Sequence, residues 1–302
     1  MKTSSLGDVV HHCPAVSDAA RHVPGAEIDW VVEEAFAAVP AMHARVRKLI
    51  PVALRRWRRG FAQPATWSEF AAFRRALAAE RYDAVIDSQG LLKSVLIGKL
   101  ASGVLHGLDR ASARERLAPW FYDRTYAVPW SLHAVERNRQ LSARVLGYDI
   151  SDPPDYGLRA ARPPRESSGP YAVFLTMTSR AEKLWPEERW SGLGRALGMR
   201  VILPWGSAAE EARARRIAAS LPDSHVPPRM TLDDLASLFI GAARVVGVDT
   251  GLTHLAAALG ARTLGIYCGT DPRSYGLLAR NAANVGSEGR TPAVSEVVKG
   301  LA

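Results

Sequence analysis

The sequence predicts an α/β chain of two doubly wound, Rossmann-like domains. Short apolar runs rich in β-branched residues recur along it, and they pass through polar loops into residues with helical spacing. The two plainest units are Tyr82–Asp87, which runs on into Ser88-Gln89-Gly90, and Val245–Val248, which runs on into Asp249-Thr250-Gly251. Between them, residues 152–170 (DPPDYGLRAARPPRESSGP) hold five of the chain's 19 prolines, which stiffen a linker and exclude long helices. We therefore expect domains at residues 1–155 and 171–302, joined by a linker at 156–170. At 302 residues the chain is long enough for each half to bury its own core.

Taken in order, Lys2–Gly7 reads as a loop entering a helix near Val9, with Asp8 at its start. In an α/β fold such a loop follows a buried strand. We therefore expect the first strand to be missing before Met1, which would strip support from the Asp8 loop and leave sheet edges unpaired. Asp8 itself has two readings, a helix N-cap or a catalytic carboxylate at the mouth of an interdomain cleft. Residues 26–32 (AEIDWVV) are strand-like, and residues 36–43 form a loop or short helix. Trp67–Glu80 has helical spacing, Tyr82–Asp87 is a buried strand, and Leu91–Ala101 is a helix with Lys93 in its first turn. A cap explains Ser88 adequately, whereas Gln89 and Lys93 can also face a ligand. His133–Leu146 reads as a further helix.

In the second half, Tyr171–Leu175 opens a new α/β run, and Pro186-Glu187-Glu188 has the chemistry of a helix start. Arg200–Leu203 is a strand and Ala208–Ala219 a helix, and residues 230–234 cap another. Val245–Val248 then leads through Asp249-Thr250-Gly251 into a helix from Leu252 that Gly260 stops, and Thr263–Tyr267 follows as a strand. Doubly wound folds bind phosphates at such a loop, because free backbone N–H groups and the helix dipole point at the anion. An ordinary capped βαβ unit has the same pattern, so both readings stand.

Lys and Arg exceed Asp and Glu by 39 to 30, giving +9 and a pI near 9.9. That balance favours an anionic partner. Residues 45–59 carry seven basic side chains and no acidic one: Arg45, Arg47, Lys48, Arg55, Arg56, Arg58 and Arg59. A solvated helix face is the plain reading, yet such a run repels itself, which favours an anionic partner. No nucleic-acid motif or aromatic platform accompanies it, so a phosphorylated headgroup or membrane surface suits it better than nucleic acid. No apolar stretch is long enough to span a bilayer, and the N-terminus lacks the apolar core of a signal peptide. Cys13 and Cys268 lie far apart and read as free thiols in a reducing cytosol. No metal or other cofactor is expected.

Six segments, in this order, carry a resemblance: KTSSLGDVVH, IPVALRRWRRG, YDAVIDSQGLLKS, LTMTSRAEKLWPEERW, LPWGS and GVDTGLTHLAAALG. Together they resemble the ADP-heptose:LPS heptosyltransferases of glycosyltransferase family 9 over nearly the whole chain. The resemblance implies the GT-B architecture, with acceptor held by the N-terminal domain and nucleotide sugar by the C-terminal one, across a cleft. It implies inverting, metal-independent transfer of L-glycero-D-manno-heptose from ADP-heptose to the inner Kdo of Kdo2-lipid A. The setting it implies is peripheral, on the anionic cytoplasmic face of the inner membrane.

Residue by residue, the resemblance makes Asp8 the general base, with Lys183 on the leaving diphosphate. It makes Thr178, Ser179, Lys183, Glu210, Met230, Asp249, Thr250, Gly251 and His254 donor-binding. We assign Ser5, Arg55, Arg56, Arg58, Arg59, Gln89 and Arg114 to the acceptor. Inversion needs a single displacement, so one carboxylate that takes the acceptor hydroxyl's proton is enough, and preorganised donors stabilise the departing diphosphate. The competing readings are a GT-B transferase for a later step or another nucleotide sugar, a non-catalytic anionic-surface binder, and an inactive truncated product.

Overall fold

The computed structural model describes residues 1–163 and 169–301, so part of the expected linker lies outside the described residues. The chain divides into two compact units, Met1–Gly157 and Leu158–Ala302. The described ends of the linker belong to these units. The Gly157 carbonyl accepts from Ala44 N–H at 3.3 Å in the first, and Arg162 pairs with Asp234 at 3.0 Å in the second.

In the first unit, β1 (Ile28–Glu33) pairs in parallel with β2 (Val46–Val52). A second parallel set joins β3 (Val85–Asp87), β4 (Leu105–Leu108) and β5 (Arg124–Tyr126). The helices are α1 (Leu6–His22), α2 (Ala38–Ala41), α3 (Leu54–Arg59), α4 (Pro64–Ala78), α5 (Leu92–Gly98) and α6 (Ala134–Leu146). Met1–Thr3 runs between the two strand sets. Glu33 N–H donates to the Thr3 carbonyl at 3.1 Å, and Ser88 N–H donates to the Met1 carbonyl at 3.2 Å. Three residues thus bridge β1 and β3 and deliver the chain directly to α1. A cavity of about 530 Å³ remains beside them, lined by Met1, Ile28, Trp30, Tyr82 and Ile86.

This corrects the expectation that the Asp8 loop lacks support. Lys2 Nζ donates to the Ser88 carbonyl at 2.7 Å, and Trp30 Nε1 donates to the Lys2 carbonyl at 3.1 Å. The helix start is corrected as well. Ser5, not Asp8, is the N-cap residue, and Asp8 is the third helical residue, its carboxylate accepting from Ser5 N–H at 3.0 Å. Such a carboxylate serves both the orphan N–H groups and the positive end of the helix dipole.

The basic run is not a single helix face. Its first part is β2, its second α3, and carboxylates distant in sequence meet it. Arg47 pairs with Glu27 and Asp29, Lys48 with Glu80, and Arg56 with Glu34 at 3.0 Å and Glu69 at 2.7 Å. The self-repulsion expected from sequence is therefore largely relieved by β1, α4 and the turn after β1. Arg55, Arg58 and Arg59 stay exposed and make no ion pair among the described residues.

The second unit adds β6 (Tyr171–Leu175), β7 (Arg200–Ile202), β8 (Ser224–His225), β9 (Arg244–Val248), β10 (Thr263–Tyr267) and β11 (Ala282–Gly286). They form one parallel sheet in the order β11-β10-β9-β6-β7-β8. Its helices are α7 (Glu187–Leu197), α8 (Ala208–Ala219), α9 (Leu232–Gly241), α10 (Gly251–Ala258), α11 (Pro272–Tyr275) and α12 (Val294–Leu301). The chain winds outward from β6 in one direction and from β9 in the other, so the switch point of the sheet lies between them. Phe174, Trp185 and Trp190 are fully buried on the α7 side, with Phe174 and Trp190 ring centroids 5.0 Å apart. On β9, Gly247 is required by packing: a Cβ there would collide with Thr253 of α10. The absent side chain lets Thr253 Oγ1 donate to the Val248 carbonyl at 2.7 Å, seating α10 against the strand end.

In the first unit, α1 and α6 are locked by a buried pair, Arg139 Nε to Asp18 Oδ2 at 2.7 Å, with both side chains nearly inaccessible. Replacing Arg139 with Ala leaves Asp18 as an uncompensated buried charge. We expect Arg139→Ala to destabilise the unit by about 3–5 kcal/mol, read from the shift of its urea transition. Conversion of both residues to apolar ones should recover most of that loss.

Candidate functional site

The second unit builds its site at the switch point between β6 and β9, outside the carboxyl ends of the strands. Ligands of open α/β sheets bind in that crevice. The β6 strand ends at Leu175 and runs on through Thr178 and Ser179 to a short turn carrying Lys183; β9 ends at Val248 and runs on into Asp249-Thr250-Gly251. Asp249 joins the two loops. Its Oδ2 accepts from Lys183 Nζ at 2.7 Å, its Oδ1 faces His254 Nε2 at 3.4 Å, and its backbone carbonyl accepts from Thr178 Oγ1 at 3.0 Å. Burial alone would raise the Asp249 carboxyl, but the His254 and Lys183 contacts outweigh it and hold the group well below the usual carboxylate range.

Thr250 sits at the N-cap of α10, yet its hydroxyl makes no capping bond. Of the two readings of this loop, a side-chain cap by Thr250 is thus not the one adopted. Thr250 is partly accessible, Ser179 is exposed, and Gly251 opens the helix without a side chain to block an approaching ligand. Lys183 was read as a diphosphate contact, and here its ammonium rests on Asp249.

Two other expected donor positions stand differently. Glu210 completes a helix cap, its Oε2 accepting from Gly206 N–H at 2.7 Å while its own N–H donates to Ser207 Oγ at 3.4 Å. One of its oxygens is thus used in shaping the Trp205-Gly206 turn. Met230 is partly buried just before the Thr231 N-cap of α9.

In the first unit, a small cavity of about 40 Å³ is lined by Asp8, Lys2, Arg114, Ser112, Trp130 and Arg137 among others. Arg114 Nη1 lies 3.6 Å from Asp8 Oδ2. Arg137 stacks on the Trp130 ring at 4.0 Å from its centroid, and burial lowers the Lys2 ammonium from its usual value. Among the residues lining this recess, a single carboxylate thus sits with three cations, Lys2, Arg114 and Arg137.

Gln89 lines the same recess as Asp8, and it also has a structural task. It is buried, and its amide oxygen accepts from Thr3 N–H at 3.1 Å and Ser4 N–H at 3.3 Å, which positions the loop that leads to Asp8. Ser5 is exposed beside Asp8. Arg55, Arg58 and Arg59 belong to α3, whereas Arg56 is held by Glu34 and Glu69 and is the least available of the four. Lys2, Trp130 and Arg137 were not singled out from the sequence. Lys2 lies inside the KTSSLGD segment and was within reach, but nothing in the local pattern marks Trp130 or Arg137, which topology alone brings to Asp8.

The family model described as glycosyltransferase family 9 (heptosyltransferase) matches residues 70–299. Over 93% of its length the chain is 46% identical to lipopolysaccharide heptosyltransferase 1 of Salmonella typhimurium, covering 91% of that protein. It is 47% identical over 95% of its length to the Pseudomonas aeruginosa protein of the same name, covering 83% of it. Among solved structures, it superposes on E. coli heptosyltransferase WaaC with ADP at a TM-score of 0.90 and 44% identity, covering 99% of this chain and 96% of that one. The E. coli WaaC structure with ADP-2-deoxy-2-fluoro heptose gives a TM-score of 0.86 at 44% identity, covering 98% and 94%. These structures carry the GT-B class expected from the sequence.

Because the folded-state pKa of Asp249 is depressed, its contribution to stability is present above the ordinary value of about 3.8 and is lost as pH falls through the folded value. Asp249→Asn should therefore be less stable than the parent at neutral pH. The gap in thermal midpoint between the two proteins should narrow steadily below about pH 4. A gap that stays constant down to acid would mean that the carboxylate charge does not hold the junction.

Proposed function

The chain belongs to glycosyltransferase family 9, the heptosyltransferases, and is a glycosyltransferase of lipopolysaccharide core biosynthesis; from that premise we propose how its two units divide the reaction. The second unit takes ADP-heptose and the first takes the acceptor, which we identify as the inner Kdo of Kdo2-lipid A. The observation that carries the reading is the Asp249 junction at the sheet's switch point, which gathers Lys183, Thr178, Thr250 and Gly251 around one crevice.

In the reaction we propose, Asp8 accepts the proton of the acceptor hydroxyl as its oxygen attacks the anomeric carbon. The bond from that carbon to the diphosphate oxygen breaks on the opposite face, ADP departs, and the anomeric configuration inverts. Negative charge develops on the diphosphate, where the Lys183 ammonium, the Ser179 hydroxyl and the free N–H groups at the start of α10 are the right donors, while the Thr178 hydroxyl is spent on the Asp249 carbonyl and holds the loop in place. On this reading the protein's own cations compensate that charge and no divalent metal is needed, so turnover should survive EDTA. His254 orients Asp249, and Glu210 and Met230 shape the approach to the same crevice.

Arg114, Lys2 and Arg137 offer positive charge to the acceptor's carboxylates around Asp8, and Arg55, Arg58 and Arg59 offer it to more distant phosphates. No helix among the described residues is long and apolar enough to cross a membrane. We place the enzyme peripherally on the anionic cytoplasmic face of the inner membrane, where such an acceptor is presented.

The test separates binding from chemistry. With ADP-heptose and Kdo2-lipid A, Asp8→Ala should lose on the order of a hundredfold or more in kcat while its calorimetric affinity for ADP-heptose stays unchanged. Near-normal turnover in that variant would remove Asp8 from the role of base.

A further inference from the structure

Four large apolar side chains stand exposed together on the first unit: Leu96 is 64% accessible, Leu117 61%, Trp120 75% and Phe121 47%. Leu96 comes from α5, Trp120 and Phe121 from the 3₁₀ turn Ala118–Phe121 that contacts it, and Leu117 is the cap residue just before that turn. The pair is tied at both ends. Leu92 N–H donates to Glu115 Oε2 at 2.7 Å at one end, and Lys99 Nζ pairs with Asp123 at 2.6 Å at the other. Leu96 lies between those ties on α5, and Leu117, Trp120 and Phe121 lie between them on the neighbouring segment. Soluble surfaces rarely cluster such residues without a partner.

The rim selects the partner. Lys93, Arg116 and Arg124 are exposed around the patch, and its two carboxylates, Glu115 and Asp123, are already bonded as described. A second copy of the chain would bring like charges together, whereas anionic headgroups would be matched. Trp and Phe flanked by Lys and Arg have the composition of residues that settle at a bilayer interface. The patch also adjoins the acceptor half of the site. Lys93 Nζ donates to Ser4 Oγ at 3.2 Å in the loop leading to Asp8, and Arg114, 3.6 Å from Asp8, lies three residues before Leu117.

We propose that Leu96, Leu117, Trp120 and Phe121 form the membrane-docking face of this protein, entering the headgroup–acyl boundary of an anionic bilayer. Seated there, the face places Asp8 beside the membrane surface, where an acceptor whose lipid chains stay in the bilayer can present its sugar. The inference deepens the peripheral-membrane part of the proposed function. It assigns contact to an apolar face distinct from the α3 arginines.

The test is flotation with vesicles of phosphatidylcholine and phosphatidylglycerol in equal parts, free of any glycolipid acceptor. The parent chain should float with them, and Leu117→Ser/Trp120→Ser/Phe121→Ser should lose partitioning by about tenfold or more. Arg116→Gln/Arg124→Gln should weaken the dependence on phosphatidylglycerol content. Vesicles with bromine-labelled acyl chains should quench Trp fluorescence, and Trp120→Phe should abolish most of that quenching while still floating. An unchanged far-ultraviolet circular dichroism spectrum and urea transition of the full chain show that the triple variant keeps the first unit, Met1–Gly157, folded.

Equal flotation of the parent and the triple variant would overturn the proposal. So would self-association of the parent in sedimentation velocity, lost in the triple variant, without any vesicle binding. A failure of heptose transfer with flotation intact would count against the proposed function and leave the docking face standing.

Discussion

The second unit depends on one buried carboxylate. Asp249 stands at the carboxyl end of β9, where a bare charge is expensive to bury, and it is tolerated because Lys183 and His254 reach it from different segments. Its demand for partners draws the loop after β6 toward the loop after β9. With Thr178 bonded to its backbone carbonyl, the two loops bordering the sheet's switch point become one rim. Gly247 has a matching role from the packing side, since only a glycine lets α10 seat its Thr253 against the strand. The groups proposed to meet the diphosphate are thus held in place by the fold itself, as electrostatic preorganisation requires.

The first unit places its carboxylate by a different device. Asp8 is fixed by the helix start, through Ser5 N–H, and the loop ahead of it is pinned by Gln89, Ser88 and Trp30. Three residues, Met1–Thr3, connect the two strand sets at the level where that loop begins. Around Asp8 the cations come from three separate places: Lys2 before the helix, Arg114 after β4, and Arg137 on α6. The recess is therefore a product of topology more than of any local motif.

That difference explains what could be read in the sequence. The alternation of apolar strands, polar loops and helical spacing gave the doubly wound class, and strands such as Tyr171–Leu175 and Thr263–Tyr267 were legible to the residue because they are fully buried and almost entirely free of polar side chains. The short strands β4, β5, β8 and β11 carry mixed or exposed residues and left no such trace. The Asp249 loop was legible as a candidate phosphate site, and its ambiguity was real, because a cap and a phosphate site use the same residue types. Its tie to Lys183, 66 positions away, had no local signal. The basic run was misjudged for the same reason: its compensating carboxylates, Glu27, Asp29, Glu34, Glu69 and Glu80, lie outside it in sequence and meet it only in the fold. Gln89 lines the Asp8 recess, but the bonds of its amide oxygen to the neighbouring loop, 85 and 86 positions away, had no local signal.

The central claim is that the Asp249 junction organises the nucleotide-binding crevice, and calorimetric titration of ADP against the full chain tests it most directly. The account predicts that Lys183→Ala and Asp249→Asn each weaken ADP binding by about tenfold or more, and that the double variant falls well short of the product of the two losses, because the residues act as one unit. ADP affinity unchanged in both single variants would contradict it.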